Sequence, residues 1–249
     1  EKAIEQKQLL SVLYFKQGDY HECSEVLSDL CSSGNARLAD LERYTHVTRV
    51  LKDKEHREQA LMMLARQHEQ EENYIEAKNV VEELLQESEE NTDALKLHLR
   101  LLKLSGETSK WVEQSWSVCT DFQMQDNREG EIEILQELLK EKPRDMQVIE
   151  RLIQIFADEN DQEALGETLS KYLQIAKAEK QYPRASEFLH AFSQIHDRVS
   201  SFKESLVEIY EEADKIEESI SEIKSLIQLY EDQNKVEETI GKYEQLIEI

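Results

Sequence analysis

Proline is nearly absent from this chain, glycine is scarce, and basic residues are outnumbered. Two prolines and six glycines in 249 residues leave too little punctuation for a β-sheet protein, whose turns would recur every ~8 to 12 residues. The three cysteines, Cys23, Cys31 and Cys119, make no disulfide framework. Cys23 and Cys31 share one predicted helix, about 12 Å apart along its axis, beyond the ~7 Å reach of a disulfide. Reduced, buried thiols and a cytoplasmic location are the expectation. No apolar run approaches the ~20 residues that a membrane-crossing helix needs. No signal peptide is recognisable, and the chain opens at Glu1 within helical periodicity, as a fragment of a longer protein would.

With 30 basic against 54 acidic residues the net charge is -24. A surface this negative repels phosphate, so neither nucleic acid nor an anionic membrane is expected as a partner. It would suit a basic partner surface, and it is also what long solvated helix faces filled with glutamate produce.

What the chain has in quantity is Glu, Leu, Lys, Gln and Ile, mostly strong helix formers, and this composition predicts an all-α protein. The apolar positions recur at helical spacing. Ile4, Leu9, Leu10, Leu13 and Tyr14 form a first stripe, and Gly18-Asp19 breaks it. Cys23, Val26, Leu27 and Leu30 form a second, closed by Ser32-Ser33-Gly34-Asn35. Residues 37–52 form a third helix with no evident hairpin partner, which reads as an irregular insertion over 36–56. Further hairpins follow, with turns at Asn73-Tyr74, Ser105-Gly106, Gln125 to Asn127, Pro143 and Asp158 to Asp161. About fourteen helices with short connections result, a count resting on helical periodicity.

Glu72 stands 34 residues before Gly106, and Asn160 stands 74 before Asn234. A period near 34 with two helices per unit is the signature of the tetratricopeptide repeat. The segment FKQGDYHEC, Phe15 to Cys23, resembles that family's inter-helix turn, with a glycine, a polar residue, an aromatic and then a small residue. EENYIEA, Glu71 to Ala77, repeats it, with Leu64, Ala65 and His68 as the large, small and aromatic residues before it. DQNKVEETIGKYEQL, Asp232 to Leu246, is a third match, and Pro143 falls where the family ends its second helix. Trp111, Leu165 and Thr239 depart from the pattern, standing where a small close-packing residue belongs, and the 20 residues from Gly106 to Asp126 shift the phase. The resemblance implies a right-handed α-solenoid of roughly seven hairpins. Residues 1–249 would form one repeat domain, with a sub-boundary near 125–128.

The resemblance also implies a role: a non-enzymatic scaffold binding protein or peptide on a concave face. Arg66 and Arg100 lie 34 residues apart on helices expected to line that face. Lys96 and Lys103 flank Arg100 on the same side of its helix. These four cations would suit an acidic peptide or a carboxylate; alternatively they pair with Glu69, Asp93 and neighbouring acids in a solvated lattice. The family's chaperone-binding clamp needs Lys and Asn on the first inner helix, where this chain has Gln8 and Val12, so that mode is not expected. The last helix ends in apolar residues without a polar closing face, which suggests further repeats or self-association through it.

Little points to catalysis or cofactors. The seven histidines, His21, His46, His56, His68, His98, His190 and His196, show no metal-ligand spacing. No phosphate-binding glycine loop, nucleophile elbow or Cys-x-x-Cys occurs. Trp111 and Trp116 are expected in the core. A regulatory sensor controlling a separate effector domain, and a structural subunit of a larger assembly, remain open as alternatives to the scaffold.

Overall fold

The computed structural model describes residues 2–195 and 200–248. Among the described residues there are fourteen α-helices and no strand. The chain divides into two compact units, one up to Gln125 and one from Asp126. The first holds α1 (Lys2–Gln17), α2 (Tyr20–Ser32), α3 (Leu38–Leu51), α4 (Lys54–Gln70), α5 (Tyr74–Glu87), α6 (Thr92–Leu104) and α7 (Thr108–Met124). The second holds α8 (Arg128–Glu141), α9 (Met146–Asp158), α10 (Gln162–Ala178), α11 (Tyr182–Ile195), α12 (Ser200–Glu212), α13 (Ile216–Asp232) and α14 (Val236–Glu248).

The helices end where the backbone turns left-handed. Gly18, Glu72, Asp126, Lys180 and Asn234 all have positive φ, and so do Lys52, Gly106, Asn160 and Asp214. Each series has a spacing of 54 residues, and the two interleave at alternating intervals of 34 and 20. At these positions the chain closes the helix with the paired hydrogen bonds of a Schellman cap. Gly18 N donates to Phe15 O (3.3 Å) and Asp19 N to Tyr14 O (3.0 Å); Glu72 N donates to Glu69 O (3.0 Å) and Asn73 N to His68 O (2.8 Å). The next residue starts the following helix, and several of these residues cap it with their own side chains. Asp53 accepts from His56 N (3.2 Å), Asn127 from Gly130 N (3.0 Å) and Asp161 from Ala164 N (3.1 Å). One tight turn thus ends one helix and starts its antiparallel neighbour.

The repeating unit is therefore three helices in 54 residues. The helix expected as an irregular insertion, α3, holds the same place in its repeat as α6, α9 and α12. The 34-residue interval is real, and the 20-residue interval that looked like a phase shift is the other half of the period. Each of α4, α7, α10 and α13 has 17 residues and a left-handed cap at both ends. The third connection, after α2, α5 and α8, is looser, and Pro143 sits in it as expected, just beyond the end of α8.

Packing follows the repeat. Within each unit the helices pack against their sequence neighbours, and α1 reaches α3 as α10 reaches α12. Leu27, Val81, Leu135 and Leu189 occupy one repeat position and are all fully buried. So are the small residues Cys23, Ala77 and Ala185, which let adjacent helices approach closely. These left-handed turns, small-residue contacts and antiparallel pairs make the fold an all-α array of tetratricopeptide-like hairpins.

Charged groups enter this core where partners meet them. Glu131 is 1% exposed at the position held by Cys23 and Ala77. Arg151 grips it through Nε (2.5 Å) and Nη2 (3.0 Å). Asp40, also 1% exposed, accepts from Arg43 (2.9 Å) and from the Arg37 backbone N–H (3.1 Å). The three cysteines are free thiols, with Cys23 and Cys119 buried.

Candidate functional site

A groove lies in the second unit, where α10 and α12 enclose a cavity of about 390 Å³. The floor is small: Gly166 and Ser170 from α10 face Ser201 and Ser205 from α12, beside Leu169 and Leu173. Gly166 lies inside α10, and a Cβ placed on it would meet nothing within 4 Å. Its glycine is therefore not required by backbone conformation or close approach; it leaves the groove open.

Charges line the rim. Lys177 binds Glu208 (2.5 Å) and Glu212 (3.3 Å), and contact with Glu208 holds its ammonium above the ordinary lysine range. Glu204 accepts from the Tyr230 hydroxyl, and burial together with that carboxylate pushes the phenol up to about 12. The Ser201 Oγ is buried and has no hydrogen-bond partner among the described residues.

The same register carries different chemistry elsewhere. Lys177 and Glu208 correspond, two periods earlier, to Glu69 and Arg100, which form an ion pair of 2.8 Å with the signs reversed. One period before that, Phe15 and His46 meet edge-on with ring centroids 5.4 Å apart. Three pairs thus bridge the same two repeat positions while using aromatic, acid–base and base–acid partners.

The four cations singled out from the sequence divide. Arg66, Lys96 and Arg100 hold the repeat positions of Gln174, Glu204 and Glu208, all of which line the α10–α12 groove. Arg66 belongs to a 17-residue helix and Arg100 to the helix two later, so the two stand on opposite walls rather than at equivalent positions. Lys103 lies over the Trp111 ring, 4.9 Å from its centroid. Gln8, from the absent clamp motif, is buried, and its side-chain amide donates to Asn35 O (3.2 Å). Trp111 is buried as expected, and Trp116 is half-buried.

Of the histidines, His68 is buried, His190 is exposed, and His196 lies outside the described residues. Burial lowers the His98 pKa and so favours its neutral form. Among the described residues no group of three His, Cys, Asp or Glu side chains is placed to hold a metal ion, and no helix is long and apolar enough to cross a membrane. A larger depression of about 610 Å³ in the first unit runs along α2. Two of its acids are engaged, Asp53 with His56 (2.9 Å) and Asp29 with Lys7 of α1.

Sequence reasoning missed the α10–α12 groove. Its signal was available as Gly166, a glycine inside a strong helical stripe.

No protein-family model matches the chain, and no curated protein matches it. Solved structures similar to it include the C-terminal part of a TPR repeat-containing protein from Cytophaga hutchinsonii, at 10% identity and a TM-score of 0.31, over 88% of this chain and 94% of that one. BtubC from P. vanneervenii is 13% identical, with a TM-score of 0.31 over 93% of this chain and 81% of its own. A tetratricopeptide repeat protein from Parabacteroides merdae is 12% identical, with a TM-score of 0.26 over 100% of this chain and 93% of its own.

Proposed function

We propose that this chain is a non-enzymatic scaffold that binds protein or peptide segments between α4 and α6 in the first unit and between α10 and α12 in the second. The observation that carries this reading is the recurrence, at one pair of repeat positions, of bridging contacts made by interchangeable side chains. A catalytic centre needs one fixed constellation of groups; a recognition surface needs a constant frame and variable contacts. In the first unit, Arg66, Lys96 and Arg100 hold groove positions, and we assign that groove an acidic segment or a carboxylate.

The test uses fluorescein-labelled peptides of alternating glutamate and glycine, read by anisotropy. Arg66→Glu combined with Arg100→Glu should abolish binding while the helical circular dichroism stays unchanged. Binding equal to wild type would discard the assignment.

A second contact is favoured by α14, which buries none of its residues and exposes Val236, Ile240, Tyr243 and Ile247 along one stripe. Tyr243 holds the repeat position at which Leu27, Val81, Leu135 and Leu189 are fully buried. We read this stripe as a self-association surface. Sedimentation velocity should show a concentration-dependent dimer that Ile240→Glu removes; a wild-type monomer at all concentrations refutes it.

A further inference from the structure

We propose that the α10–α12 groove binds an extended peptide segment carrying lysine or arginine, the opposite chemistry to the groove formed with Arg66 and Arg100. The inference rests on the scaffold reading and specifies what this second groove takes.

Charge is the first ground. Among the described residues, Glu204, Glu208 and Glu212 face one cation, Lys177, which Glu208 and Glu212 share. Among the described residues the Glu204 carboxylate has a phenol hydroxyl, that of Tyr230, as its one partner. Lys203, the nearest other cation on α12, turns away to Glu222 (3.0 Å) and Ser225 (2.9 Å) on α13. The rim therefore keeps a negative excess that an incoming cation would neutralise.

The floor supplies the second ground. Ser201 Oγ is buried without a partner among the described residues, and Ser205, 5% exposed, lines the same cavity. Two small hydroxyl side chains at the base of a groove suit the donors and acceptors of a peptide backbone. Gly166 leaves the space in which that backbone would lie. From Gly166 to Lys177 the helix advances about 16 Å, the length of roughly five extended residues. A lysine or arginine head would then sit between Glu204 and Glu208.

The experiment measures anisotropy of a fluorescein-labelled nonapeptide of alternating lysine and glycine, and of its glutamate counterpart, against the full chain in ~0.3 M salt, where long-range attraction is screened. Gly166→Trp fills the groove from a position with open space, and Glu204→Gln with Glu208→Gln removes its charge. Each should weaken the basic peptide about tenfold. Glu89→Gln with Glu90→Gln removes the same charge from an exposed loop of the first unit and should change little. Circular dichroism checks that every variant is folded. If the loop variant weakens the basic peptide as much as the groove variants do, or the groove variants leave it unchanged, the inference is overturned. Should that happen while the acidic peptide still depends on Arg66 and Arg100, the scaffold reading survives alone. If neither peptide binds, both readings fail.

Discussion

Replacing Arg57 removes a guanidinium that ties three helices together. From α4, its Nε donates to both oxygens of Glu87 (2.8 and 2.7 Å) and Nη2 donates to Glu83 Oε1 (2.5 Å), both residues on α5. Nη1 donates to the Thr45 carbonyl of α3 (3.0 Å). Breaking a fully buried pair costs ~3 to 5 kcal/mol. Here the Arg57 side chain is only 7% exposed, but those of Glu83 and Glu87 are 35% and 33% exposed and can rehydrate. Arg57→Ala should therefore cost about 2 to 3 kcal/mol, including the lost stem packing. The same repeat position holds Trp111 and Leu165, both buried, so an apolar side chain fits the slot. Arg57→Leu should then cost about half as much.

Trp111 and Trp116 lie on α7 in the same compact unit, so their fluorescence follows its urea unfolding. With a slope of ~2 kcal/mol per molar, alanine should lower the midpoint by about 1 M and leucine by about half that. Contact with Arg57 also holds the Glu87 carboxyl below its ordinary range. A depressed folded pKa adds stability above the unfolded value, near pH ~4.5, that is lost as pH falls through the folded value. The gap between wild type and Arg57→Leu should accordingly narrow on going from pH 7 to pH 3. Equal midpoints for the two substitutions, or a gap that widens with acid, would refute the reasoning.

Three further outcomes follow from the repeat and its burial. Leu189 and Tyr243 share a repeat position at 0% and 47% exposure, so Leu189→Ala should cost ~3 kcal/mol and Tyr243→Ala under ~1 kcal/mol, by urea titration of the far-ultraviolet dichroism. Glu72 holds φ 59° at a helix end. Glu72→Gly should stabilise the first unit by ~0.5 kcal/mol, the relief of a left-handed side chain less the added flexibility of the unfolded chain; a lower midpoint would contradict it. Burial and the nearby Asp40 push the Cys31 thiol up to about 11, so a disulfide reagent at pH 8 should modify it slowly until urea is added, and rapid labelling of the native protein would oppose that account.

The helices were legible because apolar spacing announces them, and Gly18 and Gly106 announce two of their ends. The period was not. Glu72, Lys180 and Lys52 are ordinary helix residues by propensity, yet each stands left-handed at a helix end. Packing of the flanking helices imposes those turns, and no local signal marks them. With the turn at Lys52 unmarked, the 34-residue interval from Glu72 to Gly106 suggested a two-helix unit, and α3 looked like an intruder. The buried charges were hidden for a similar reason. Glu131 reads as one more surface glutamate until Arg151, on the next helix, meets it. The α10–α12 groove needs small residues at Gly166 and Ser170 to face others at Ser201 and Ser205, and only the intervening α11 brings those stretches together.

On the scaffold reading, the bridging pairs would let such a chain vary its ligands without disturbing its fold. Most core positions of the repeat are filled by apolar or small side chains, and their cost of change is set by burial. The bridging positions are only partly buried: Arg100 is 69% exposed beside Glu69, and the Lys177 side chain keeps 29% beside Glu208 at 48%. Solvent-screened pairs of this kind contribute little to stability in either polarity. Glu69 facing Arg100 and Lys177 facing Glu208 can therefore exchange signs at nearly constant folding energy, whereas the potential presented to a ligand reverses. Recognition chemistry is in this way separated from the three-helix frame that positions it.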